Sequence, residues 1–219
     1  TGPGRTVLLD LPAHWRTVLW ALAVWRTGAC VLLTPGEPAA APAPAPDVVV
    51  TARPEVATDP ASEVVVVALP ALARSAGAML PPGAIDAAAA VMTYSDALGH
   101  VPTTDPAAAA LRVHGGRDGS GADLGRAVAP TTVLHGGLVD WALDREPQAA
   151  PRPTVTPGTP PLRVLLEPAQ DDPAPVLRAV LAAYASGGSV VLCAPSVAEQ
   201  LAADPERRAR LVAAERVTG

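Results

Sequence analysis

Runs of consecutive β-branched residues are the feature that most constrains the fold of this chain. Residues 47–51 read Asp-Val-Val-Val-Thr, and residues 64–69 read Val-Val-Val-Val-Ala-Leu. Neither run alternates apolar and polar side chains, as a strand with one solvent face does. A continuous apolar strand needs apolar cover on both of its faces. The two runs therefore predict a parallel sheet with helices packed on each side.

The first 33 residues have a strand, helix, strand pattern. Residues 6–11 form an apolar run of strand length, and residues 29–33 form a second one. Between the two runs, five apolar residues recur at the spacing of one helix face: Trp15, Val18, Leu19, Leu22 and Trp25. The apolar stretch 18–25 is far shorter than the roughly 20 residues that cross a bilayer. We interpret it as a buried helix and expect no membrane partner.

The end of the chain repeats this order. Further elements are predicted as strands at 162–166 and 189–193 and as helices at 85–98, 176–184 and 197–212. Pro205 should break the last helix, because proline removes a main-chain donor. Alternating strands and helices with right-handed crossovers predict an α/β fold. We expect a doubly wound, mostly parallel sheet with helices on both faces.

Two Pro-rich segments connect these blocks, at residues 36–46 and 146–161. Alternating Ala and Pro favours extended chain, so we interpret both segments as connections rather than as core elements. The chain has 219 residues, which suits one domain or one and a half. We predict a single α/β domain over residues 1–219.

Charge and residue usage exclude several classes of function. The net charge is −5 and the arginines form no long stripe, so nucleic acid is not an expected partner. All 16 basic residues are arginine, so any chemistry that needs a lysine amine is excluded. Cys30 and Cys193 each lie in an apolar run. We predict that both are reduced core residues, as in a cytoplasmic protein.

A glycine-rich segment at 114–126 is the candidate functional site. Glycines allow main-chain N–H groups to converge on an anion, and arginines at either end could add positive charge. The segment has no Walker motif, and its glycine spacing misses the dinucleotide fingerprint by one residue. A surface loop without a ligand is the alternative. The candidate nucleotide- or phosphate-binding residues are His114, Gly115, Gly116, Arg117, Gly119, Ser120, Gly121 and Arg126.

His135 was considered as a second candidate position. It precedes two glycines and a predicted helix at 138–143, where an imidazole could contact a ligand. No second His or Cys stands at metal-ligand spacing, so no metal site is predicted.

Four segments, taken in order, resemble one family. Residues 2–12 read Gly-Pro-Gly-Arg-Thr-Val-Leu-Leu-Asp-Leu-Pro and lead through the Trp-rich helix to Arg-Thr-Gly-Ala at 26–29. Residues 46–51 read Pro-Asp-Val-Val-Val-Thr, 184–192 read Tyr-Ala-Ser-Gly-Gly-Ser-Val-Val-Leu, and 211–218 read Leu-Val-Ala-Ala-Glu-Arg-Val-Thr. This order resembles the N-terminal domain of the adenylate-forming enzymes, the acyl-CoA synthetase and AMP-binding superfamily. The resemblance covers most of the chain.

The resemblance implies a phosphate loop at 114–126, where the family has Thr-Ser-Gly-Thr-Thr-Gly-x-Pro-Lys-Gly. This chain keeps glycines and Ser120 there but has lost the threonine pair and the lysine. It also ends before the family's adenine-binding and acyl-binding segments. We therefore expect a truncated N-terminal subdomain with no C-terminal catalytic domain.

These departures predict an adenylation-domain-like protein with a degenerate active site and no catalytic residues. It would lack acyl-adenylate ligase activity and bind a nucleotide-like ligand or a protein partner. ATP or AMP with Mg²⁺ is the cofactor that the resemblance implies. Self-association is expected at the edge of the truncated sheet. Two alternatives stay open: an AMP-forming ligase subunit that needs a partner chain, and a nucleotide-dependent oxidoreductase that uses residues 116–125 as its turn.

Overall fold

The computed structural model of the chain describes residues 1–34, 45–56, 62–77, 80–95, 97, 99, 101–114, 131–144 and 162–218. These residues form two compact units. The first comprises Thr1–Leu11 and Leu19–Gly136, and the second comprises Pro12–Val18 and Gly137–Gly219. The single domain over 1–219 stays a prediction. Most of the first Pro-rich connection and all of the second lie outside the described residues.

The first unit is built on a seven-stranded sheet with the order β5-β4-β3-β1-β2-β6-β7. All neighbouring strands are parallel except β6 and β7, which are antiparallel. The strands are β1 (Thr6–Asp10), β2 (Cys30–Leu33), β3 (Val48–Thr51), β4 (Glu63–Val66), β5 (Ile85–Asp86), β6 (Ala109–Val113) and β7 (Thr131–Leu134). The predicted α/β fold with a mostly parallel sheet is confirmed.

The core of this unit lies along the central strands. Every residue of β2 and of β3 is buried, as the continuous apolar runs predict for strands that are covered on both faces. Helix α1 (Trp15–Arg26) follows β1, and the indole Nε1 of Trp25 donates to the main-chain oxygen of Ala110 in β6 at 2.7 Å. This hydrogen bond satisfies the indole inside the core. Cys30 is buried and unpaired, as predicted.

The second unit is built on two parallel strands, β8 (Arg163–Leu166) and β9 (Ser189–Leu192). Its helices are α3 (Leu138–Ala142), α4 (Pro173–Ala185), α5 (Pro195–Ala203) and α6 (Pro205–Ala214). Cys193, Ala198 and Leu201 form a buried cluster. Leu165, Val197 and Leu211 pack against this cluster. The other unpaired cysteine lies in this cluster, and the buried residues of this unit also include Val176, Leu177, Val180 and Ala183 of α4.

Local sequence signals explain where the helices of the second unit begin and end. The Asp172 carboxylate accepts the N–H of Ala174 and so caps α4, with Pro173 in the first turn. The helix ends at Ala185, and Gly187 follows with φ +72°. A Cβ at Gly188 would lie 2.6 Å from the main-chain oxygen of Leu162. Asp204 ends α5 and caps α6 before Pro205, so the predicted break is confirmed.

Two helix predictions need correction. Residues 85–98 were predicted as one helix, but the structure has the strand β5, a four-residue helix α2 (Ala87–Ala90) and a 3₁₀ turn at Val91–Thr93. Tyr94 then takes an extended conformation, and Val91, Met92 and Tyr94 are exposed, so no packed apolar face supports a longer helix. In α1, Trp15 and Leu19 are exposed, so the buried face is narrower than predicted. Among the described helices, none has the length and apolar character that a bilayer span requires.

Candidate functional site at the carboxyl edge of the sheet

The carboxyl edge of the seven-stranded sheet has a topological switch point. The chain leaves β1 toward β2 on one side, and it leaves β3 toward β4 on the other side, although β1 and β3 are neighbours. Adjacent strands whose connections run in opposite directions leave a crevice beyond their carboxyl ends, where open α/β sheets bind ligands. The candidate site is therefore centred on the ends of β1 and β3.

A polar cluster occupies this point. The hydroxyl of Thr51, at the end of β3, donates to Asp10 Oδ2 at 2.6 Å and accepts the main-chain N–H of Arg53 at 2.8 Å. The Arg53 guanidinium forms an ion pair with the other oxygen of Asp10. Thr51 is fully buried, whereas about half of the Arg53 side chain is exposed. The cluster therefore pairs a half-exposed cation at the crevice with a more buried acid.

This cluster was not predicted from the sequence. A signal was available, since Asp10 and Thr51 each close an apolar run of strand length. Their contact, however, depends on β1 and β3 being neighbours, with β2 inserted between them in the chain. A local sequence pattern does not contain that pairing.

His114 brings the predicted phosphate loop to the same edge. It follows β6, and its N–H donates to the main-chain oxygen of Leu33 at 2.9 Å, which extends the parallel pairing of β6 with β2. Its Nδ1 is enclosed and has no hydrogen-bond partner among the described residues. The other candidate residues, Gly115, Gly116, Arg117, Gly119, Ser120, Gly121 and Arg126, lie outside the described residues.

The segment after His114 returns along β6. Val113 pairs with Thr131 and Ala109 pairs with Leu134, so residues 114–130 join two antiparallel neighbours. We call them the hairpin loop. A dinucleotide turn instead opens a helix that leads to a parallel strand. The antiparallel pairing of β6 with β7 therefore differs from the dinucleotide-binding arrangement.

The two candidate histidines do not form one site. The N–H of His135 donates to the main-chain oxygen of Ala108, at the end of the β6–β7 ladder opposite to His114. The ladder between them is about 15 Å long at the usual rise per strand residue. In the part of the chain that the structure describes, no group of three His, Cys, Asp or Glu side chains could hold a metal ion.

Solved structures with the same fold are adenylate-forming enzymes. The Klebsiella oxytoca NpsA N-terminal subdomain in complex with anthranilyl-AMSN aligns with all of this chain, and the alignment covers 47% of the NpsA chain. The sequence identity is 15% and the TM-score is 0.56. The Brucella canis acyl-CoA synthetase aligns with 88% of this chain, and the alignment covers 33% of the synthetase chain. The sequence identity is 21% and the TM-score is 0.57. The acetoacetyl-CoA synthetase from Streptomyces lividans aligns with 87% of this chain over 30% of the synthetase chain. The sequence identity is 15% and the TM-score is 0.54.

These similarities define the fold class of the chain. It has the α/β fold found in the N-terminal subdomain of adenylate-forming enzymes, as the order of its sequence segments predicted. The chain spans about half the length of the NpsA subdomain and about a third of the two synthetases. No protein-family model matches the sequence, and no curated protein matches it either.

Proposed function

We propose that this chain is an adenylation-domain-like protein that binds a nucleotide-like ligand and has no acyl-adenylate ligase activity of its own. The observation that carries the proposal is the hairpin loop between β6 and β7. It leaves the carboxyl edge of a sheet with the adenylate-forming fold, and it contains glycines and arginines but no lysine. The similar NpsA subdomain was solved in complex with anthranilyl-AMSN, which supports a nucleotide-like ligand for this chain.

The chemistry of adenylation explains why binding is retained without turnover. Joining a carboxylate to the α-phosphate of ATP builds up negative charge that cations, main-chain donors and normally Mg²⁺ must stabilise in the transition state. The chain supplies only arginine as a fixed cation near the hairpin loop, at Arg112, Arg117 and Arg126. Arginine has a planar fork in place of the compact charge of a lysine. Such a fork holds a phosphate in the ground state but does not reproduce the geometry of a lysine at the reacting atoms.

The first experiment measures catalysis. The purified chain is incubated with ATP, Mg²⁺, labelled pyrophosphate and a pool of aliphatic and aromatic carboxylates. We expect no exchange of label into ATP above the protein-free background. Exchange by the chain alone would overturn the proposal. Exchange that appears only when a second chain is added would replace it with the ligase-subunit alternative.

The second experiment measures binding. AMP and ATP, each with and without Mg²⁺, are titrated into the chain by calorimetry. We expect binding that weakens about tenfold in the double variant Arg117→Ala/Arg126→Ala, a loss of about 1.4 kcal/mol. Arg74→Ala is the matched control, because Arg74 is exposed and lies outside the hairpin loop. A chain that binds neither nucleotide, or a double variant that binds as tightly as the control, would contradict the proposal.

A cytoplasmic location, self-association at a sheet edge and the lack of a nucleic-acid partner remain predictions. In the described part of the chain, β5 and β7 are the edge strands of the seven-stranded sheet. Sedimentation at increasing concentration tests self-association through these edges.

A further inference from the structure

A cleft of about 380 Å³ lies at the carboxyl ends of β3 and β4. Its lining comes from Ala52 and Pro54 after β3, from residues 66–70 at the end of β4 and beyond, and from Ala73 and Ser75–Gly77 in the following turn. Val66 and Val67 are almost fully buried and belong to the core. The volume is in the range of small-molecule sites.

The outer turn of the cleft is held by one carboxylate. Asp86, at the end of β5, accepts hydrogen bonds from the hydroxyl of Ser75 at 2.8 Å and from the N–H of Ala76 at 2.9 Å. It also accepts the N–H groups of Ala88 and Ala89 at the start of α2. Burial raises the pKa of Asp86, but these four hydrogen bonds together outweigh it and lower the pKa below the usual value. The turn is therefore fixed before any ligand arrives.

The charged side chains nearest the cleft belong to residues outside its lining, and one of these residues, Arg74, is exposed between Ala73 and Ser75. No lining residue carries an ionisable side chain. Arg53 lies between two lining residues, but its guanidinium is paired with Asp10. The Asp86 carboxylate is occupied by four donors. A charged ligand would lose its hydration without gaining a counter-charge from the lining, whereas a neutral apolar ligand would gain from contact with Val66 and Val67.

We propose that this cleft binds a small, neutral, mostly apolar molecule with an aromatic or branched aliphatic body. The cleft is separate from the carboxyl end of β6, where the hairpin loop begins. Strands β3, β1 and β2 lie between β4 and β6 in the sheet, so the two strands are about 19 Å apart at the usual strand spacing. The inference goes beyond the proposed function, because it assigns a second ligand to a different part of the carboxyl edge.

Indole is a suitable neutral probe. It is titrated into the ¹⁵N-labelled full chain, and amide chemical shifts are followed by NMR. We expect saturable shifts at residues 66–70 and 73–77. Indole-3-acetate should bind more weakly because its carboxylate finds no counter-charge. Failure of indole to shift these amides, or tighter binding of indole-3-acetate, would overturn the proposal.

Three variants test where the probe binds. Ala73→Leu fills part of the cleft and should raise the dissociation constant for indole at least about tenfold. Ala202→Leu makes the same change at an exposed position of α5 and should leave it unchanged. Asp86→Asn replaces one of the two acceptor oxygens that hold the turn and the start of α2, and it should weaken binding about threefold, with the amide spectrum otherwise retained. Unchanged indole binding by a folded Ala73→Leu variant would refute the site, and nucleotide binding at the hairpin loop should persist in all three variants.

Discussion

The central strands of the two units have the same length and similar sequences but different burial. β2 (Cys-Val-Leu-Leu) and β3 (Val-Val-Val-Thr) are buried at every position. β8 (Arg-Val-Leu-Leu) and β9 (Ser-Val-Val-Leu) are half-buried at every position. β2 and β3 each have two neighbouring strands, whereas β8 and β9 pair only with each other in the described residues. The neighbouring strands on both sides of β2 and β3 therefore account for part of their greater burial.

The polar interactions of the two units differ in the same way. In the seven-stranded unit, the Thr51 hydroxyl is buried and binds Asp10. In the β8–β9 unit, Arg208 binds both oxygens of Glu167 at 2.6–3.0 Å, but the pair lies at the surface. Enclosure strengthens a hydrogen bond and makes an unpaired partner costly, whereas solvent weakens a surface pair. We expect mutations in the first unit to have the larger effects.

Truncation of a core leucine gives the largest expected difference. Leu33 in β2 is fully buried, so Leu33→Ala should lower the free energy of unfolding by about 3–4 kcal/mol. Leu166 in β8 is half-buried, so Leu166→Ala should cost only about 1 kcal/mol. Urea denaturation with circular dichroism measures both values. If both variants lost the same free energy of unfolding, with an unchanged dependence on urea concentration, the difference in burial would not affect stability.

Removal of one polar partner gives an intermediate effect. Thr51→Val keeps the shape of the side chain but deletes the hydroxyl, and it should cost about 1.5 kcal/mol because Asp10 and the N–H of Arg53 each lose a hydrogen bond. Arg208→Gln breaks a surface pair and should cost about 0.5 kcal/mol. The same denaturation assay compares the two variants. A larger loss for Arg208→Gln would reverse the proposed ranking.

Much of the fold was predictable because its parallel strands are continuous apolar runs. Residues 47–51 and 64–69 need cover on both faces wherever they lie in the chain, and β3 and β4 occur there. Strand β7 was missed, since Thr131–Leu134 is mostly exposed and exists through its antiparallel pairing with β6. A pairing between distant segments leaves little trace in a four-residue pattern.

The sequence indicated the edge of the sheet at which the candidate site lies better than it indicated the residues of that site. The glycine-rich segment led to His114, which lies at the carboxyl edge of the sheet. The Asp10–Thr51–Arg53 cluster was not found, because strand order brings Asp10 and Thr51 together. The apolar cleft was missed for a similar reason, as its turn depends on the contact of Ser75 with Asp86, 11 residues further along the chain.

The smallest expected effect is a difference in pH dependence between the units. In the second unit, burial lowers the pKa of His14, the nearby Arg16 charge lowers it further, and Asp171 partly opposes both. The unfolded state then binds the proton more readily, so this unit should lose stability as the pH falls through about 6.5 toward the folded pKa. In the first unit, the N–H of Thr6 and then the Arg5 side chain lower the pKa of Asp47. The contribution of Asp47 to the stability of this unit is therefore present above about pH 4, and it is lost as the pH falls through the pKa of Asp47 in the folded state.

Hydrogen exchange, corrected for intrinsic rates, measures each unit by its own amides. Amides of 12–18 and 162–218 should lose protection first, near pH 6, and amides of β1, β2 and β3 should follow below about pH 4. His14→Gln should abolish the first step and leave the second, whereas Asp47→Asn should weaken the second and leave the first, so each variant is the control for the other. A single step shared by both units, unchanged in His14→Gln, would mean that the two units do not respond separately to protonation.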